Sequence, residues 1–132
     1  MVRFAEHSAE ILLLAFLAIT FLQSGVDKIL CWRDNLEWLT SHFSKTPFKR
    51  MVPFLFAVLL LTETAAGLFC LLGLLELLLG FSANMAFVGA VFANLALLML
   101  LLGQRVAKDY DGARTVVIYF VPAVFLIFLL QL

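Results

Sequence analysis

Charged residues and the residues that interrupt helices are scarce in this 132-residue chain. Charged residues make up 14% of it and hydrophobic residues 64%, and there are only three prolines, two cysteines and two histidines. This composition lies far from that of a soluble domain. Nine basic residues balance nine acidic ones, so net charge gives no indication of nucleic-acid binding, and we expect no nucleic-acid partner. A single domain covering residues 1–132 is the simplest organisation.

The few cysteines and histidines exclude several kinds of redox and metal site. Cys31 and Cys70 fall at different depths of neighbouring apolar segments, whereas a disulfide needs Cα atoms within about 7 Å. The sequence has no Cys-x-x-Cys motif for a thiol relay. His7 and His42 fall on opposite sides of the predicted bundle and cannot together ligate one haem or metal. Phosphate-binding glycine motifs and nucleophile elbows are also missing. We therefore expect no metal and no cofactor held within this chain.

Long apolar runs are what the chain has in abundance. They cover about residues 9–30, 52–75, 85–102 and 115–130, and roughly 20 apolar residues in a helix cross a bilayer. The runs are continuous and not alternating, which excludes a barrel. The first run is followed by no small-residue cleavage site, so we interpret it as a retained helix. The sequence predicts an all-α integral membrane protein, an antiparallel bundle of four transmembrane helices.

The second span is longer than a bilayer requires. If residues 52–79 form one helix, it is about 42 Å long, and it must tilt or break near Gly73 or Gly80. Glu76 then lies near the far surface, where we interpret it as an interfacial charge. Small residues at 65–67 and 89–93 predict a close approach of spans two and three.

The connection between spans one and two mixes large apolar side chains with polar ones. Leu36, Leu39 and Phe43 follow helical spacing, which predicts a short amphipathic helix lying in the membrane interface. Trp32 and Trp38 suit the headgroup level. Two interpretations remain open for this helix: a simple anchor, or a lid over the space between the spans.

Basic residues predict the orientation. Eight of the nine Lys and Arg residues fall in or beside the two connections 31–51 and 103–114, and Arg3 alone lies at the other end. The positive-inside rule then predicts cytoplasmic connections and both termini outside.

Polar residues inside the spans form a candidate functional site. Glu63 lies roughly 16 Å into span two, close to the midplane, and Gln23, Asn94 and Tyr119 fall in the same half of the membrane. An acid at this depth is a functional candidate by default, although such groups also simply hold helices together. We expect Glu63 to be protonated and to donate a hydrogen bond to Asn94, Gln23, Tyr119 or a bound headgroup.

A candidate rim of basic and polar residues surrounds the surface toward which this set opens. It comprises Lys28, Arg105, Lys108, Asp109 and Tyr110. Exposed ion pairs contribute only about 0–1 kcal/mol each. We therefore expect the connection before span four to be compact and ordered mainly by packing of Tyr110.

Three segments together resemble the DoxX family of small bacterial membrane proteins. The sequence FLQSGVDK at 21–28 has a glycine three residues before a lysine, Glu63 precedes a glycine-leucine run at 67–74, and QRVAKDYDGA at 104–113 leads into span four. The resemblance implies a four-helix bundle in the bacterial inner membrane and a redox neighbourhood. Some relatives are linked to thiosulfate:quinone oxidoreduction, so it also makes a quinone a possible cofactor.

Two functions follow from these patterns. The first is a structural or accessory subunit of a larger membrane assembly, with other subunits or further copies of the chain as partners besides lipid. The second is a quinone-site or proton-handling subunit of an oxidoreductase, which would use Glu63 and the candidate rim. The chain has no motif for catalysis by itself, and we do not expect it to be an enzyme alone.

Overall fold

The computed structural model describes the backbone of residues 2–132 and the side chains from Glu6 onward, and no strand occurs in that part of the chain. The helices are α1 (Val2–Leu30), α2 (Trp32–His42), α3 (Val52–Leu79), α4 (Asn84–Val106) and α5 (Tyr110–Leu130), with a short 3-10 turn at Lys49–Met51. Four of them are long and apolar enough to span a membrane. The predicted four-span bundle, with a short helix after the first span, is confirmed.

The helix α3 lies at the centre of the arrangement. It packs extensively against α1 on one side and α4 on the other, whereas α5 packs mainly on α4 and makes only a smaller contact with α1. The connections before α3 and before α5 meet at one end of the bundle, where His42 Nε2 lies 3.7 Å from Asp109 Oδ2. The side chain of Arg3, predicted to lie at the opposite end, is outside the described residues.

The long helix α3 is not interrupted at Gly73. It ends at Gly80, which adopts the left-handed conformation with φ 82°, and the N–H of Phe81 donates to the Glu76 carbonyl at 2.8 Å. Glycine is the residue that ends helices this way, because a side chain at positive φ is strained. Of the two breaks considered from the sequence, the one at Gly80 is therefore the one that forms.

The side chain of Glu76 links α3 to the start of α4. One carboxylate oxygen accepts the N–H of Met85 at 2.8 Å, and the other accepts the hydroxyl of Ser82 at 3.2 Å. The first turn of a helix has unpaired N–H groups and a positive dipole end. Glu76 thus caps the start of α4.

Close approach of α3 and α4 depends on glycine. A side chain at Gly73 would collide with the backbone of Ala86, and one at Gly89 would lie 2.6 Å from the backbone nitrogen of Cys70. The predicted contact between these spans is confirmed at Gly89. Gly67, which was assigned to the same contact, instead faces α1, where Leu22 packs over it.

Apolar side chains cover the outside of the bundle as well as its core. Leu14, Leu17 and Leu126 are fully buried, whereas Ile19 and Leu61 are each 71% exposed. Large exposed apolar surfaces are not tolerated on soluble monomers. They are the expected surface of a protein solvated by lipid, and the chain is a small multi-pass integral membrane protein.

Candidate functional site

An ion pair between α1 and α3 is the most deeply buried charged feature of the described residues. Glu63 is only 2% exposed, and its Oε1 lies 3.0 Å from Lys28 Nζ. The hydroxyl of Ser24 donates to Oε2 at 3.0 Å, and Lys28 Nζ donates to the same hydroxyl at 2.6 Å. The three side chains form a closed set, which we call the α1–α3 triad.

Local structure explains why these groups meet. Ser24 and Lys28 are four residues apart in α1 and therefore lie on one face of the helix. Gly25 is buried in the same contact, and a side chain there would lie 3.0 Å from Thr64 Oγ1. Because Gly25 has no Cβ, α3 lies close enough to α1 for the ammonium of Lys28 to reach Glu63. Oε1 receives no well-aligned hydrogen bond, so Lys28 acts on it chiefly as a charge.

Lys28 and Ser24 are the side-chain partners of Glu63, and not Asn94, Gln23 or Tyr119. We expected a carboxyl donating to one of those three residues or to a headgroup, because no basic residue of the sequence lies at that depth and Lys28 could approach only by reaching down from the rim. The flexible four-carbon stem of Lys28 reaches down from the end of α1 and places its ammonium beside the carboxylate. A buried charge is retained where it is paired in this way.

The other three polar residues of the candidate site are placed apart from Glu63. The Asn94 amide donates to the carbonyls of Ala90 at 2.8 Å and Ala123 at 3.1 Å, which joins α4 to α5. Tyr119 stacks on Phe16 with ring centroids 5.9 Å apart. Gln23 is exposed on the outer side of α1.

Two further buried polar atoms have no partner in the described part of the chain. These are Oδ1 of Asn94, whose residue is 7% exposed, and Oγ1 of Thr64, next to Glu63. The intramembrane polar groups are therefore distributed over several helix contacts. They do not converge on one cavity.

The candidate rim is ordered differently from what the sequence predicted. Asp109 accepts the N–H of Gly112 at 2.9 Å and so caps α5. Tyr110 is 54% exposed and is covered by the guanidinium of Arg105, 5.0 Å from its ring centre. Lys108 occupies the left-handed turn with φ 61°. Asp109, and not Tyr110, makes the anchoring contacts of this connection.

Sequence reasoning missed His42 and Gln104, which join α2 to the end of α4. His42 Nε2 lies 3.3 Å from Gln104 Oε1, and its ring stacks on Trp38 with centroids 4.5 Å apart. A histidine four residues after a tryptophan in an amphipathic helix was the available signal. Within residues 6–132, no group of three or more His, Cys, Asp or Glu side chains is placed to hold a metal ion.

Comparison with known proteins gives no relative for this arrangement. The chain matches no protein-family model, and neither a curated protein nor a solved structure is significantly similar to it. The resemblance to the DoxX family accordingly stays a prediction from the sequence segments described above.

Proposed function

We propose that this chain is an accessory subunit of a larger membrane assembly, and that the outer face of α1 contacts a transmembrane helix of a partner or of a second copy. One observation supports this proposal above the others: Gln23 is exposed on the outside of the bundle. It lies about 10 Å from the end of α1, at 1.5 Å per residue. Asp27 is exposed one turn later on the same face.

The exposed amide of Gln23 indicates a helix contact because of the cost of leaving it unpaired in lipid. An amide in hydrocarbon without a hydrogen-bond partner is unfavourable by roughly 2–7 kcal/mol. Polar side chains between membrane helices satisfy each other and hold the helices together. A neighbouring helix with a polar group would give Gln23 the partner that this bundle does not offer on its outside.

The dispersed polar groups favour the same function. Asn94 joins α4 to α5, Tyr119 lies against α1, and Glu63 is closed in the α1–α3 triad. A site that processes a ligand needs several polar groups converging on one space. Polar groups that serve separate helix contacts are typical of a scaffold.

The test is electrophoresis of the mildly solubilised native membrane under non-denaturing conditions. We expect the wild-type chain to migrate in a complex and the Gln23→Leu variant to migrate as the free chain. Thr115→Leu is the matched control, because Thr115 is also an exposed polar residue of a span but its hydroxyl already donates to the Asp111 carbonyl at 3.1 Å. Equal migration of Gln23→Leu and the wild type in a complex would contradict the proposed contact, and migration of the wild type as a free chain would contradict the proposed function.

The alternative function, a quinone-site or proton-handling subunit, has the support of the buried carboxylate alone. Glu63 and Lys28 can exchange a proton because they lie 3.0 Å apart, and an ionisable pair at this depth is a functional candidate. The Glu63→Gln variant separates the two functions. It keeps the acceptor for Ser24 but cannot ionise, so a proton-handling subunit would assemble and lose its activity, whereas an accessory subunit would keep the activity of its assembly.

A further inference from the structure

A cavity of about 200 Å³ lies beneath α2, between α3 and α4. Val52 and Phe56, which are 4% and 3% exposed, form its inner wall. Trp38 and Leu102, which are 58% and 57% exposed, form its rim. The cavity therefore opens at the bundle surface, at the end where the connections meet.

The lining of the cavity is almost entirely apolar. Of the lining side chains, only those of His42 and Gln104 carry groups that hydrogen-bond strongly, apart from the indole of Trp38 at the rim. His42 and Gln104 face each other at 3.3 Å. Because these two groups satisfy one another, they are poor partners for a polar ring or a headgroup inside the cavity. The interior is suited to hydrocarbon.

Size restricts the hydrocarbon further. An apolar cavity of roughly 150 Å³ stays dry and takes up a molecule as small as benzene, whereas a helix is about 10 Å across. The space under α2 is therefore large enough for part of a single alkyl chain and too small for a partner helix. In lipid the hydrophobic effect does not drive a chain inward, but an empty cavity loses the dispersion contacts of its walls. An alkyl chain restores them.

Charge beside the cavity specifies the headgroup. Phe48 and Val52 both line the cavity, and between them the 3-10 turn Lys49–Met51 carries Lys49 and Arg50 on its exposed side. Within residues 6–132 neither of these side chains forms a salt bridge. A basic cluster next to an apolar groove at the membrane surface is the arrangement that recognises an acidic lipid headgroup.

We propose that this cavity binds one acyl chain of an anionic phospholipid, with the phosphate held by Lys49 and Arg50. The amphipathic helix α2 then acts as the cover of a lipid site. This assignment is independent of the accessory role proposed above, since it concerns the space between α2, α3 and α4 and not the outer face of α1.

The fluorescence of Trp38, one of the two tryptophans of the chain, can measure binding at this site. Trp38 lies at the rim of the cavity, and replacing the other tryptophan by Trp32→Phe leaves Trp38 as the single reporter while keeping an aromatic ring against Phe56. The protein is reconstituted into phosphatidylcholine vesicles that contain phosphatidylglycerol or phosphatidylcholine with brominated acyl chains at equal mole fractions. Bromine quenches tryptophan fluorescence on contact, so the quenching measures occupancy of the cavity by each lipid.

We expect brominated phosphatidylglycerol to quench Trp38 at lower mole fractions than brominated phosphatidylcholine does. The Arg50→Gln variant should reduce this preference about fivefold, the effect of one basic residue near an anionic surface. Arg33→Gln is the matched control, because Arg33 is also exposed but, unlike Arg50, does not lie between two cavity-lining residues of the chain, and it should keep the preference. Gly103→Leu, which adds a side chain toward Phe43 in the cavity, should abolish the preference with Arg50 intact.

Three results would overturn the assignment. Equal quenching by the two brominated lipids would show that the headgroup is not recognised. Equal loss of preference in Arg33→Gln and Arg50→Gln would show only a general attraction of anionic lipid to the basic face. No quenching by either lipid would show that no lipid chain occupies the space. Circular dichroism of each variant establishes that the helices are intact.

Discussion

Burying Lys28 and Glu63 is energetically unfavourable, and each residue compensates the buried charge of the other. Removing charges from water carries a desolvation cost that attraction between them only about offsets. Removing one partner is different, because the other is left charged and unpaired in an apolar surrounding. The side chains are 19% and 3% exposed respectively, so Glu63 is the member that suffers more from losing its partner.

The first prediction concerns this pair. Lys28→Met should lower the free energy of unfolding in detergent micelles by about 3–5 kcal/mol, the usual effect of breaking a buried pair. The double variant Lys28→Met/Glu63→Leu should recover most of that loss, because it leaves no charge to bury. Sodium dodecyl sulfate titration followed by circular dichroism measures both. If the double variant is as unstable as Lys28→Met alone, an unpaired charge on Glu63 is not the cause of the lost stability.

Sequence reasoning identified Glu63 as the important acid and Lys28 as a residue that could reach it only from the rim. It placed Gln23 in the candidate site instead of Ser24, because the rotation of α1 about its axis was not known. Gln23 and Ser24 are adjacent residues of α1, about 100° apart around the helix. Because both residues are polar and each has a charged residue one turn later, Asp27 or Lys28, hydropathy does not reveal which of the two points inward. The stripe formed by Phe21, Ser24 and Lys28 at helical spacing was the signal that could have chosen between them.

At the scale of elements, the contact between α3 and α4 rests on missing side chains. Gly73→Ala should therefore destabilise the bundle by about 1–3 kcal/mol, the range for overpacking a tight contact, because its new Cβ meets the Ala86 backbone. Gly103→Ala is the matched control in α4. Its Cβ would lie 3.4 Å from the ring of Phe43, an ordinary contact, and the stability should stay close to wild type. Equal effects of the two variants in the same titration would contradict the close packing of Gly73 on the Ala86 backbone.

A second prediction at this scale concerns the connection before α5. Asp109→Ala removes the cap on Gly112 and should lower the free energy of unfolding by roughly 0.5–2 kcal/mol. Tyr110→Ala should change it by less than about 0.5 kcal/mol, as expected of an exposed side chain. Proteolysis of the connection in detergent should rise only in the Asp109 variant. The reverse ranking would show that packing of Tyr110 orders this connection, as predicted from the sequence.

The elements themselves were largely predictable, and their extensions were not. Apolar runs identify the four spans because lipid requires them, and the spacing of Leu36, Leu39 and Phe43 identifies α2. The helices extend beyond the apolar runs where carboxylates accept hydrogen bonds from the N–H groups of their first turns. Glu76 caps α4 from the preceding helix, and Asp109 caps α5. The contact of Glu76 spans nine residues, and helix periodicity carries no information about it.

For the whole molecule, the arrangement predicts which residues share a side of the membrane. In a chain carrying Cys31→Ser and Cys70→Ala, Glu6→Cys and Gln131→Cys should react with a membrane-impermeant thiol reagent from one side, and Trp38→Cys from the other. The reason is that the spanning helices alternate in direction, with both connections at one end. Labelling of positions 6 and 131 from different sides of sealed vesicles would contradict the alternation.

Pairing of Lys28 with Glu63 also has a consequence for how the chain enters its membrane. The cation belongs to the first spanning helix and the acid to the next one, so no later segment is needed to neutralise either charge. The first two spans can leave the insertion machinery together as a helical hairpin whose charges cancel, and α4 then adds to the other side of α3. Assembly would then follow the order of synthesis, because each span after α1 has its main contact with the span made just before it.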